Sequence, residues 1–95
     1  MTVLRLDRFT VNPAEVADLI ARHADLVTAA KDAFPGLIDV QLARVDDRTW
    51  IDVWRWDTLA SAHAAVASAP SIPQAGAAFA LTKDLTVEFA EVIDG

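Results

Sequence analysis

Thr49-Trp50-Ile51-Asp52-Val53-Trp54-Arg55-Trp56 alternates without a break, and it decides how the rest of the chain is read. Successive side chains of a strand point to opposite faces. Trp50, Asp52, Trp54 and Trp56 therefore share one face, and Ile51, Val53 and Arg55 share the other. Immediately upstream, Asp46-Asp47-Arg48 has the composition of a hairpin turn, and residues 37–45, LIDVQLARV, form the preceding strand. Downstream, Asp57 or Thr58 caps a helix through about Ala69, with Leu59, Ala62, His63 and Val66 on one stripe. Pro70 and Pro73 end it, residues 74–81 read as a further short turn of helix, and residues 85–93, LTVEFAEVI, as a last strand.

The N-terminal half completes the pattern. Residues 3–11, VLRLDRFTV, read as a first strand. Asn12-Pro13-Ala14-Glu15 is a helix start, with Asn12 as N-cap and Pro13 in the first turn. The helix runs to about Ala33, with Val16, Leu19, Ile20, His23, Val27, Ala30 and Phe34 three or four apart, and Pro35-Gly36 stops it. The order βαββαβ predicts an α+β fold of the ferredoxin-like type, an antiparallel sheet with both helices on one face.

Ninety-five residues make one domain, residues 1–95, and 54% of them are apolar, which hints at an oligomer interface. The absence of cysteine excludes disulfides and thiolate metal sites. Eight basic residues against 14 acidic ones, with no basic run, argue against nucleic acid and anionic membrane as partners. No stretch reaches the ~20 apolar residues of a membrane span. MTVLRLDRF has no apolar run suited to a signal peptide, so a cytoplasmic location is expected.

Helices cover one face of the sheet only. Leu4, Leu6, Ile38, Val40, Leu42, Ile51 and Val53 are expected on one face, and Arg5, Asp7, Phe9, Asp39, Gln41 and the tryptophans on the other. Three tryptophans facing solvent would make an apolar patch that monomers rarely tolerate. Both histidines also fall on the expected sheet-facing stripes of their helices. The mixed face is therefore expected under the helices, lining a pocket, and the aliphatic face is expected to pair two copies into a homodimer.

Phe34-Pro35-Gly36-Leu37 and Trp54-Arg55-Trp56-Asp57-Thr58 carry a further signal. With them, nearly the whole chain resembles the antibiotic biosynthesis monooxygenase family of dimeric α+β barrels. The resemblance implies a dimer through the sheets and a site between sheet and helices in each subunit. It implies an oxidoreductase of secondary metabolism, a cofactor-independent monooxygenase that uses molecular oxygen on an aromatic polyketide-like or quinol metabolite. Such members use a tryptophan matching Trp56, an asparagine where this chain has Asp52, and a tyrosine near Ala62; this chain has no tyrosine. The heme-degrading branch uses an asparagine, a tryptophan and an iron-ligating histidine at positions that fall on Asp7, about Ala65 and about Gly76, and none of the three is kept.

Within the expected pocket, His63, Asp52 and Trp56 are the candidate catalytic residues, and Trp54, Trp50, His23, Asp7, Gln41 and Phe9 are candidates for holding substrate. A histidine titrates near neutrality and suits removal of a phenolic proton, His63 first and His23 second. Each has a plainer reading: a core histidine bonded to a carbonyl, tryptophans as packing, and Asp7 paired with Arg5. Two histidines and two carboxylates could also form a facial-triad iron site, but no ligand spacing supports one, and no metal or organic cofactor is expected. Two other readings stay open: a cyclase, isomerase or dehydratase using the same pocket, and a non-catalytic binding dimer.

Overall fold

The computed structural model describes all residues from Met1 to Gly95. Strands β1 (Val3–Thr10), β2 (Leu37–Arg44), β3 (Thr49–Trp56) and β4 (Lys83–Glu91) form one antiparallel sheet in the order β2-β3-β1-β4. Helices α1 (Val16–Ala33), α2 (Leu59–Ser68) and α3 (Pro73–Phe79) pack on it, so the ferredoxin-like α+β expectation holds. The boundary signals act as read. Asn12 Oδ1 accepts from the Ala14 N–H at 3.0 Å, in a 3-10 turn that leads into α1. Thr58, rather than Asp57, caps α2 by accepting from the Ser61 N–H at 3.1 Å. In the β2–β3 turn, Asp46 Oδ1 accepts from the Arg48 and Thr49 N–H groups at 2.9 and 2.7 Å, and these bonds hold its carboxyl below the usual range.

Gly36 does more than end α1. A Cβ there would stand 2.6 Å from Asp57 Oδ1 and 2.7 Å from Ser61 Oγ, so the missing side chain is what lets the first turn of α2 sit against the β2 entry. The Asp57 N–H to Gly36 C=O bond of 2.9 Å closes the same contact.

The face assignment of β1 and β3 is as expected. Trp50, Asp52, Trp54 and Trp56 are buried beneath the helices together with Val3, Asp7 and Phe9. The phase of β2 is not. Val40 stands opposite Trp54 and Leu42 opposite Asp52, whereas Gln41 stands opposite Val53 and Asp39 opposite Arg55. Directly opposed residues share a face, so Val40 and Leu42 pack inward and Asp39 and Gln41 point out. A shift between Leu37 and Asp39 leaves Ile38 extra in β2 and 51% exposed. One residue of register reverses every side chain of a strand, and this register keeps two aliphatic groups over the core and leaves the carboxylate and amide hydrated. The outer face keeps an aliphatic centre of Leu4, Leu6, Ile51 and Val53, all partly buried.

Helix α2 also turns differently from its expected stripe. Ala62 and Ala65 are buried, and Leu59, His63 and Val66 are exposed.

Candidate functional site

The core beneath the helices divides in two. Phe9, Val11, Leu19 and Trp50 form one cluster. Leu26, Ala30, Trp54, Trp56, Ala62, Ala65, Ala75 and Ala78 form the other, and a cavity of about 50 Å³ opens within this second cluster. Its floor is the parallel pair Trp54 and Trp56, with ring centroids 6.3 Å apart and 13° between planes. Phe34 closes one side edge-on to Trp56, with ring centroids 5.9 Å apart, and Ala65, Ala69, Ile72, Ala75 and Phe79 form the roof along α2, α3 and the turn between them. The roof from α3 could not be read from the sequence, where only an Ala-rich segment after Pro73 marks it.

Arg5 and Asp7 are the two ionisable groups in the wall. Arg5 Nε donates to Asp7 Oδ1 at 2.8 Å, the ion pair of the plainer reading of Asp7. Asp7 is 2% exposed. Burial pushes its carboxyl above the usual range, the Arg5 hydrogen bond and charge pull the other way, and the like charge of Asp52 adds to the rise. Asp52 stands directly opposite Asp7 in the sheet, yet it does not line the cavity. Its carboxylate can only accept, and it takes three contacts: His23 Nε2 to Oδ1 at 2.9 Å and to Oδ2 at 3.0 Å, and Trp54 Nε1 to Oδ2 at 2.8 Å. Trp54 thus stands between the His23–Asp52 pair and the cavity, its ring meeting the His23 ring edge-on at 6.3 Å.

Several expected members lie elsewhere. His63 is not beside Asp52: it is exposed on α2, with its ring edge-on to Phe89 of β4 at 5.2 Å. The cause is the rotation of α2, whose small residues, not its histidine, meet the sheet. Gln41 is exposed on the outer face. Phe9 and Trp50 belong to the other cluster, with Trp50 under the Arg44 guanidinium at 5.8 Å. The convergence of two histidines and two carboxylates needed for a facial triad does not occur, and no group of three metal-ligating side chains forms. Trp50 Nε1 and Trp56 Nε1 are both buried without an acceptor.

The same layers recur in solved structures. SnoaB, a cofactor-independent oxygenase from Streptomyces nogalater, matches with TM-score 0.74 and 26% identity over 99% of this chain and 95% of that one. The chain has the antibiotic biosynthesis monooxygenase fold. An antibiotic biosynthesis monooxygenase-type protein from Caulobacter crescentus shares this fold at TM-score 0.79 and 16% identity, over 98% of this chain and 91% of that one. So does the heme-degrader MhuD from Mycobacterium tuberculosis, with two hemes bound in its active site, at TM-score 0.74 and 20% identity over 98% of this chain and 97% of that one. No protein-family profile and no curated protein matches the sequence. The lining of the cavity does not fit a heme: neither histidine is in its wall to meet the iron. No helix is long and apolar enough to cross a membrane.

Proposed function

We propose that the chain is a cofactor-independent monooxygenase that oxidises a phenolic or quinol-type aromatic metabolite with molecular oxygen, in the cavity over Trp54 and Trp56. The observation that carries this reading is the pair of parallel indoles flooring an apolar chamber whose polar groups are confined to one ion pair. Flat rings suit a flat ring, and a small number of polar groups in an apolar wall fixes orientation. Dehydrated surroundings also strengthen each charge that develops during reaction. The likeness to SnoaB supports the same reaction class and the absence of an organic cofactor.

The resting cavity is smaller than the ~150 Å³ that accommodates a benzene. A ring therefore enters only as the α2–α3 roof moves outward. That roof is alanine-rich, with Ile72 and Phe79 as its large side chains, so displacing it loses little buried area per residue. A second copy would dock on the outer face at Leu4, Leu6, Ile51 and Val53, an aliphatic centre rimmed by Asp39, Gln41, Arg8 and Glu88.

The test is oxygen uptake with a naphthalene hydroquinone, read against the uncatalysed rate. Uptake should be protein-dependent and should survive His63→Ala. Turnover that continues unchanged without oxygen would redirect the same chamber to isomerisation or dehydration, and no turnover in either condition would leave a binding protein.

A further inference from the structure

Asp7 and Arg5 stand in the chamber wall with an asymmetry that the ion pair alone does not require. Arg5 engages one carboxyl oxygen of Asp7, and Oδ2 makes no hydrogen bond to the protein, although the residue is almost wholly enclosed. Oδ2 is not among the fully buried side-chain atoms without a partner, so it keeps some accessible surface, and Asp7 is part of the cavity wall. The carboxylate across the sheet, Asp52, is saturated by His23 and Trp54 and turned away from the chamber. Two carboxylates in direct register are thus divided: one is fixed by donors on both oxygens, and the other, in the cavity wall, keeps an oxygen without a donor.

We propose that Asp7 is the group that takes and returns the substrate proton, and that Arg5 holds the anion formed. This assignment rests on the monooxygenase reading for its chemistry but not for its ligand class, which is any phenol or enol. The substrate O–H breaks, its proton goes to Asp7 Oδ2, and the electron pair stays on oxygen facing the Arg5 guanidinium. The electron-rich ring carbon then forms a C–O bond with dioxygen. The resulting peroxide anion takes the proton back from Asp7, and loss of water from the hydroperoxide leaves a carbonyl. The substrate O–H, one ring C–H and O₂ become two ring C=O groups and H₂O, with the ring carbons supplying all the electrons that oxygen takes up.

The charged and titratable groups facing Asp7 are few. Arg5 lies on its own strand, Asp52 stands opposite on β3 with His23 of α1 behind it, and β4 presents the uncharged Val87. Burial raises the proton affinity of the carboxyl, which makes it the stronger base toward a substrate hydroxyl.

The test uses 4-nitrophenol, whose absorbance reports its own ionisation, bound to the native protein and to the Asp7→Asn and Arg5→Gln variants. Binding is read independently by quenching of the buried tryptophans. The bound probe should ionise at lower pH in Asp7→Asn, by about one unit or more, because a competing acid has gone, and at higher pH in Arg5→Gln. Native turnover with the naphthalene hydroquinone should lose kcat but not KM on Asp7→Asn, with partial recovery in Asp7→Glu. A probe that does not bind, or that ionises at the same pH in all three proteins, overturns the assignment. If the probe shifts as stated but no oxygen is consumed, the monooxygenase reading falls and the Asp7–Arg5 site stands.

Discussion

Replacing Trp56 tests the physical account of the chamber most directly, because two opposed terms can be estimated from the structure. The indole is 3% exposed, lies parallel to Trp54 and edge-on to Phe34, and buries an N–H that no acceptor meets. An unsatisfied buried donor costs about 1–3 kcal/mol. Trp56→Phe removes that donor and leaves a void of a few tens of Å³, which costs about 1 kcal/mol at ~24 cal/mol per Å³. Loss of part of the ring contact takes a further ~0.5–1 kcal/mol. The terms offset, and the variant should lie within about 1 kcal/mol of the native protein. Trp56→Ala forfeits the rest of the ring as well and should lose about 3 kcal/mol or more. Urea unfolding followed by far-ultraviolet circular dichroism measures both. With a slope of roughly 1 kcal/mol per molar, the midpoint should move by less than ~1 M for phenylalanine and by about 3 M for alanine. A phenylalanine variant as unstable as the alanine variant would refute the reasoning, since it would mean that the Nε1 hydrogen bond is made after all.

Three further outcomes are expected. Folding raises the Asp7 carboxyl above its ordinary value, so the stability it contributes is full below the ordinary carboxylate range and falls as pH rises through the folded value. The Tm of Asp7→Asn relative to native should therefore increase from about pH 4 to about pH 7, and a flat difference by scanning calorimetry would contradict the raised value. His23→Ala strips Asp52 of the donor at 2.9 Å and leaves Trp54 as its only side-chain partner; it should cost about 3 kcal/mol in urea unfolding, and His23→Gln, which keeps a donor, should cost less. Gly36→Ala drives a methyl group into Asp57 and Ser61 and should cost about 1–3 kcal/mol by the same measurement, whereas Gly76→Ala, with open space around it, should not.

The sequence made the layers and the buried tryptophan face legible because TWIDVWRW admits one pattern of alternation and its aromatic side could not be left in water. The phase of β2 was not legible. Alternation within a strand says nothing about which residue of the neighbour stands opposite, and the extra residue near Ile38 has no composition of its own. Helix α2 failed for another reason: in Leu59–Ser68 nearly every position is small or apolar, so periodicity cannot pick a face. What selects it is the close approach at Gly36, a contact 25 residues from Ser61 along the chain. The same rotation moved His63 out of the site, while His23, on the more strongly patterned α1, found Asp52. Arg5 and Asp7 were visible as a pair, but their place in the cavity wall depends on a roof supplied by α3.

Strand β4 is exposed along its whole length, yet Val87 and Phe89 stand directly opposite Asp7 and Arg5. The ion pair is thus braced from a strand whose outer rung of N–H and C=O groups has no partner within the chain. Fraying of that rung would loosen the guanidinium first, well before the indoles feel it. Protein concentration then becomes a variable of affinity: if a neighbour covers β4, dilution should weaken a phenol's grip by mass action alone, with every residue of the chamber unchanged.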